Sequence, residues 1–275
     1  MISVLMPVYN GLPLVKASVQ SLQKQTYEDW ECIIVDDGST DGTSEYLDSL
    51  EDNRFVVHHF EMNKGRPKAR QKTLELAKGD YISMLDAEDL YANNALEVLH
   101  KKIQEHPEVV LVSASMCSFG TKTNITRKRG VLQERIVKYD GKHLPNHASS
   151  IMRSERAKRF KYNPLMKLGQ DRDFLERYLK GESFMEIPDV LYYYSEFDSV
   201  NKRKIKKTYK LNMIKYANSG NIGQLVIYFV KLTIATIIFP FVSDVFIIKN
   251  RGVELSKSEE ESFVKDCKQI VESII

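Results

Sequence analysis

Two short apolar runs, Cys32-Ile33-Ile34-Val35 and Tyr81-Ile82-Ser83-Met84-Leu85, end directly in carboxylates: Asp36-Asp37 after the first, Asp86-Ala87-Glu88-Asp89 after the second. Runs of this length and composition read as buried strands, and their shared ending constrains how they are laid down. In an open α/β sheet, ligands bind outside the carboxyl ends of the strands. Acidic groups gathered there can hold a divalent ion, and the ion a diphosphate. One such cluster alone also reads as a solvated turn or a helix N-cap. Two in one register, in a chain that opens on the strand-like Ile2-Ser3-Val4-Leu5-Met6, favour a site.

The pattern between these runs alternates. Strands are expected at 2–7, 30–35, 55–60 and 81–85, with helices at 14–24, 44–50 and 67–77, the last ended by Lys78-Gly79. Helix-length connections of this kind imply a largely parallel sheet with right-handed crossovers. Further on, a helix is expected at 95–105, a strand at 109–115, a basic hairpin or loop at 120–130, a helix at 171–180 and a short aromatic strand at 190–194. With 43% hydrophobic and 28% charged residues, the chain has a globular composition. Its three cysteines, Cys32, Cys117 and Cys267, are too scattered for a metal motif or a disulfide framework, which fits a reducing, cytoplasmic compartment. The first residues read as a core strand rather than a signal peptide.

A net charge of +3 gives no reason to expect nucleic acid as a partner. The cations are nevertheless uneven: Lys202, Arg203, Lys204, Lys206, Lys207, Lys210 and Lys215 crowd one segment. A largely apolar stretch follows at 225–248, interrupted by Lys231, Pro240 and Asp244. The charge-free piece between Lys231 and Asp244 is 12 residues, short of the roughly 20 that span a bilayer. The expectation is therefore a helix lying in a membrane interface, as peripheral contact with anionic lipid, or one packed on protein. Residues 254–275 read as a charged amphipathic helix.

Several motifs occur in order: Pro7-Val8-Tyr9-Asn10; Val35-Asp36-Asp37-Gly38-Ser39-Thr40-Asp41-Gly42; Asn63-Lys64-Gly65 with Ala69-Arg70; Gly79-Asp80-Tyr81-Ile82; and Leu85-Asp86-Ala87-Glu88-Asp89. As an ordered set they resemble the family 2 inverting glycosyltransferases of GT-A fold, densely to about Leu99 and sparsely to about Asn201. The resemblance implies a Rossmann-like, mostly parallel sheet flanked by helices over 1–205, with a C-terminal helical extension over 206–275. It implies a nucleotide-sugar donor, most often a UDP-sugar, bound with Mn²⁺ or Mg²⁺. Asp37 then matches the aspartate that reads the uracil edge, Pro7, Tyr9 and Asn10 line the base and ribose pocket, and Arg70 reaches the base or diphosphate. Asp86 and Glu88 match the Asp-x-Asp motif, with Asp86 facing the ribose or sugar and Glu88 on the metal. Asp89 would contact the donor sugar or the acceptor.

Inverting transfer needs a base on the acceptor side. Gly169-Gln170-Asp171-Arg172-Asp173 resembles the family's segment ahead of a helix, which makes Asp171 the catalytic base; Asp173 is the alternative, and a helix N-cap is the bland reading of Asp171. His147 falls in an acceptor-side segment and would bond a sugar hydroxyl or phosphate. Glu196 stands where the family usually carries a histidine near the metal, and Gln170 replaces a glutamate. The acceptor implied is a growing or lipid-linked glycan of surface polysaccharide synthesis, met at the inner face of the cell membrane. Two other classes remain. A nucleotidyltransferase would want a Gly-rich phosphate loop after the first strand, where Pro7-Val8-Tyr9-Asn10-Gly11 stands instead. A nucleotide-sugar-binding protein impaired in transfer would account for Gln170 and Glu196.

Overall fold

The computed structural model describes residues 1–119, 127–166, 169–195, 202–218, 220–241, 253 and 255–272. The chain begins as an alternation: β1 (Ile2–Val8), α1 (Val15–Gln23), β2 (Trp30–Asp36), α2 (Thr43–Asp48), β3 (Phe55–His59), α3 (Arg66–Leu76) and β4 (Tyr81–Met84). It continues through β5 (Leu90–Tyr91), α4 (Ala95–Glu105), β6 (Leu111–Phe119), β7 (Arg127–Arg129), β8 (Arg135–Lys138) and β9 (Ser150–Arg153). Then come α5 (Ser154–Ala157), α6 (Gln170–Tyr178), β10 (Ser183–Ser195), α7 (Lys202–Asn218) and α8 (Ile222–Ile238), with α9 (Lys257–Phe263) and α10 (Gln269–Glu272) near the end.

Among the described residues the strands form one sheet in the order β3-β2-β1-β4-β9-β6-β10-β5, with β7 on β6 and β8 on β10. β1 runs parallel to β2 and β4, and β2 parallel to β3. β9 is antiparallel to β4 and β6, and β10 antiparallel to β5 and β8. The parallel half comes from the first 84 residues, as their alternation implies. Its register puts Val8 opposite Asp36, so the carboxyl ends of β1 and β2 lie side by side, and Leu85 N–H donates to Leu5 O at 3.1 Å just beyond β4.

β2 is buried along its whole length, as befits a parallel strand covered on both faces. On one face, Leu5, Ile33, Ile82 and Met84 share a core with Leu74 of α3 and Phe174, Leu175 and Tyr178 of α6. Phe174 stacks on Tyr162 at 4.6 Å and on Tyr178 at 6.1 Å. This packing seats α3 and α6 over the same part of the sheet, a precondition for the site below.

Two compact units divide the chain. Met1–Cys117, Lys128–Tyr194 and Leu255–Ile275 make the first; Ser118–Arg127 and Ser195–Glu254 make the second. Residues 255–272 therefore join the sheet rather than α7 and α8. Asp266 accepts from Asn93 Nδ2 at 3.1 Å, and Phe263 meets Tyr193 edge-on at 5.0 Å. Within the second unit α7 and α8 pack through Tyr228, which stacks on Tyr216 at 5.5 Å. The span Ile222–Phe241 is 20 residues and is long and apolar enough to cross a membrane, by length and composition. The sequence expectation counted only the charge-free piece; the helix starts earlier and includes the single Lys231.

Candidate active site

The predicted donor residues sit at one edge, the carboxyl ends of β1, β2 and β4. Asp37 N–H donates to Val8 O at 2.8 Å, joining the first two ends. Gly38 makes the turn possible. Its φ of +75° is left-handed, and a Cβ there would come within 2.6 Å of the Met62 carbonyl carbon. This close approach brings the loop before α3 onto Asp37, whose carboxylate accepts from Lys64 N–H at 2.6 Å and Gly65 N–H at 2.9 Å. A carboxylate has about four lone-pair sites, so Asp37 keeps capacity for about two more donors. Pro7, one residue before the end of β1, lies opposite Val35. Tyr9 is half exposed. Asn10, at φ +49°, is tied to the β2 turn by N–H to Ser39 Oγ and by Oδ1 accepting from Thr40 N–H, both at 2.8 Å.

Asp36 has a different task from its neighbour. It is buried and accepts from the Ser39 N–H, Ser39 Oγ, Ser44 Oγ and His59 Nδ1. Burial pushes its carboxyl up, and these bonds more than offset that, leaving it below its ordinary value. It is a buckle for the turn.

After β4, Asp89 N–H donates to Asp86 O at 2.9 Å, closing a β-turn over Ala87 and Glu88. Ala87 points inward, Glu88 is exposed, and the Asp86 side chain is about one-third exposed. Asp89 is buried, and its Oδ2 accepts from the Tyr192 hydroxyl at 2.6 Å. Asp89, expected at the donor sugar or the acceptor, thus directs this oxygen to the sheet.

Arg70 joins the two halves of the prediction. In α3 it shares the buried face with Pro67, Thr73 and Leu74. It is buried. Its Nη1 donates to Asp171 Oδ1 at 2.9 Å and its Nη2 to Asp86 Oδ1 at 3.2 Å, while Nε has no partner among the described residues. Asp171 lies in the first turn of α6, which Gly169 leads in at φ +71° without a side-chain cap. The N-cap reading is therefore not what the helix shows; the Asp171 carboxylate turns to Arg70 and remains half exposed. Burial pushes Asp171 up, but Arg70, together with His147 and backbone hydrogen bonding, more than offsets it and holds the carboxyl below its ordinary value. Asp173 is instead paired with Arg177 at 2.6 Å along the helix. The segment that brings Asp171 over the strand ends thus places a carboxylate across a guanidinium from Asp86.

His147 is buried against this cluster, its ring edge-on to Phe174 and its Nε2 3.5 Å from the Tyr162 hydroxyl. Burial, reinforced by Arg70, pushes it down to about 4, so it is neutral at pH 7 and packed beneath the site. Glu196 lies outside the described residues. Among those described, no set of three or more His, Cys, Asp or Glu side chains is arranged to hold a metal. The chemistry of Asp86 and Glu88 nonetheless fits a hard divalent ion that takes its remaining oxygens from a diphosphate and water. Tyr192, which the sequence reading passed over as part of an aromatic strand, touches the same turn. Strand alternation and the placement of a polar tip in a buried run are the signals that could have found it.

Against known proteins, the profile described as glycosyl transferase family 2 matches residues 3–166. Glycosyltransferase GlyG of Streptococcus pneumoniae is 38% identical over 114 residues, 41% of this chain and 38% of that protein. The UDP-Glc:α-D-GlcNAc-diphosphoundecaprenol β-1,3-glucosyltransferase WfgD of Escherichia coli is 37% identical over 98 residues, 36% of this chain and 39% of that protein. The matches thus span about two-fifths of these relatives' length. Among solved structures, S. aureus TarS in complex with UDP-GlcNAc aligns over 100% of this chain and 81% of its own, at TM-score 0.61 and 19% identity. The mannosyltransferase PcManGT of Pyrobaculum calidifontis, in complex with GDP-Man and Mn²⁺, covers 98% of this chain and 84% of its own, at TM-score 0.59 and 15% identity. The fold is the GT-A fold that the motifs resembled. The family profile covers more than half of the chain, from β1 past β9: this protein belongs to glycosyl transferase family 2.

Proposed function

We propose that the chain is an inverting, metal-dependent glycosyltransferase. It would move a hexosyl or N-acetylhexosaminyl group from a UDP-sugar to a glycan or lipid-linked glycan in surface polysaccharide synthesis. The observation that carries this reading is the convergence of Asp171 and Asp86 on Arg70, at the edge where Asp37 and Tyr9 also stand. WfgD, whose name gives a UDP-glucose donor and a lipid-diphosphate acceptor, and the UDP-GlcNAc complex of TarS support the donor and acceptor classes.

In this reading Asp37 accepts from the uracil ring N–H, and Pro7, Tyr9 and Asn10 wall the base and ribose. Asp86 and Glu88 would hold Mn²⁺ or Mg²⁺, which supplies Lewis-acid stabilisation of the departing diphosphate. Asp171 takes the proton of the acceptor hydroxyl. The new C–O bond forms opposite the C–O bond to UDP as the latter breaks, which inverts the anomeric centre. Arg70 keeps Asp171 ionised and offsets the charge of Asp86 beside it. The basic α7 and the exposed apolar side of α8, including Ile222, Phe229 and Ile237, would hold the enzyme at the anionic inner face of the membrane, where a lipid-linked acceptor is met.

One observation favours a second reading, a nucleotide-sugar-binding protein impaired in transfer: Arg70 occupies one oxygen of the base. The two separate on metal-dependent release of UDP from a panel of UDP-, GDP- and dTDP-sugars. Turnover lost in D171N with donor affinity kept supports the transferase; tight donor binding without turnover in either form supports the binding protein.

A further inference from the structure

We propose that Tyr192 is a positioning residue for the turn that carries Asp86 and Glu88, an inference that rests on the donor-site reading above. A phenol can donate and accept at once, and Tyr192 does both at the two ends of this turn. Its hydroxyl donates to Asp89 Oδ2 at 2.6 Å and accepts from Asp86 N–H at 3.2 Å. The turn's own bond, Asp89 N–H to Asp86 O, lies between these anchors. The hydroxyl therefore completes a closed ring of hydrogen bonds beneath Ala87 and Glu88, which leaves Glu88 projecting outward. Tyr192 is fully buried, and its ring meets Tyr91, its partner across the β10–β5 pair, edge-on at 5.6 Å. The Tyr91 hydroxyl in turn donates to Met84 O and bonds Ser83 Oγ, both at 2.7 Å. Two neighbouring tyrosines thus pin the last residue of β4 and the first residue of the turn. None of these contacts involves the β1 and β2 ends proposed to receive the base.

That separation supplies the test. Tyr192→Phe deletes the hydroxyl and leaves the ring packing. Loosening the turn should weaken Mn²⁺ affinity in the presence of UDP by about tenfold, the scale of one or two buried hydrogen bonds, while uridine affinity stays within about twofold of the unaltered protein. Mn²⁺ binding is read by the electron paramagnetic resonance of the free ion, uridine binding by saturation-transfer NMR. Tyr193→Phe removes the next hydroxyl on the opposite face of the strand and should leave both affinities unchanged. Unaltered Mn²⁺ affinity in Tyr192→Phe would overturn the proposal. So would a parallel loss of uridine binding, or an equal loss in Tyr193→Phe. If the unaltered protein binds neither UDP nor Mn²⁺ with UDP, the donor-site reading itself fails, and this inference with it. Should Tyr192→Phe not fold, hydrogen exchange of the Asp86 amide in the unaltered protein reads the same bond. Protection comparable to the β4 amides supports it, and exchange at the rate of an open turn overturns it.

Discussion

Arg70 lies where two carboxylates would otherwise repel in a partly dehydrated setting, and its fork meets one oxygen of each. Replacing it with methionine keeps the stem and removes the charge. Because Asp86 and Asp171 keep some solvent, we expect a loss of about 1–3 kcal/mol, below the 3–5 kcal/mol of a fully buried pair, measurable by urea unfolding. The sign of the pH effect follows from the depressed Asp171 carboxyl. With Arg70 present, the base stays ionised to below the ordinary carboxylate range, so the acid limb of kcat/KM lies low. In Arg70→Met that limb moves to higher pH, which a pH–rate profile reads. Asp171→Asn should lower kcat by about 10²–10⁴ with the donor Kd within about threefold, by steady-state kinetics and calorimetry. Much of this was legible. The carboxylates following β2 and β4 announced the edge, and the helix that carries Arg70 was expected at 67–77. What no local pattern carries is the choice of partner: Asp171 is 101 positions from Arg70, and only the packing of α3 and α6 on a shared core brings them together.

The turn after β2 shows how an element is aimed. Gly38 to Ala would force a left-handed residue with a Cβ against the Met62–Asn63 backbone; the strain and the displaced loop should lower Tm by several degrees and weaken UDP binding, since the same loop holds Asp37. His59 links this turn to α2 by bonding Asp36 at 2.9 Å and Asp48 at 3.0 Å. Burial lowers its pKa, but the two carboxylates raise it above the ordinary histidine value. Its contribution to stability is therefore fully present below about pH 6.5 and is lost as pH rises through the raised folded value. Melting temperature against pH should show that decline, and His59→Asn should flatten it. The strands absent from the sequence reading, β5, β8 and β9, have physical reasons to be silent. β5 has two residues, β8 is mostly exposed and so carries no apolar run, and β9 has four residues and runs directly into the equally short α5. The antiparallel half of the sheet depends on such long-range pairings, whereas the parallel half follows from the local rhythm of strand and helix.

At the scale of the molecule, α7 carries seven cations and no acidic residue, and α8 exposes most of an apolar stretch. Changing Lys206, Lys207 and Lys210 to glutamine should cut partitioning onto anionic vesicles by one to two orders of magnitude, at roughly 1 kcal/mol per charge near the surface, with little change on neutral vesicles. Sedimentation with the two vesicle types checks it. In the proposed reading Asp171, Asp86 and Glu88 form one catalytic site on a family 2 fold. Its most direct test is release of UDP from a panel of UDP-sugars, with and without Mn²⁺, by the unaltered protein and by Asp171→Asn, each with donor affinity measured alongside. The expected result is Mn²⁺-dependent turnover of at least one UDP-sugar that falls at least about a hundredfold in Asp171→Asn while donor binding persists. Turnover indifferent to Mn²⁺ and to Asp171, or absent in a folded protein that binds the donor, would contradict it.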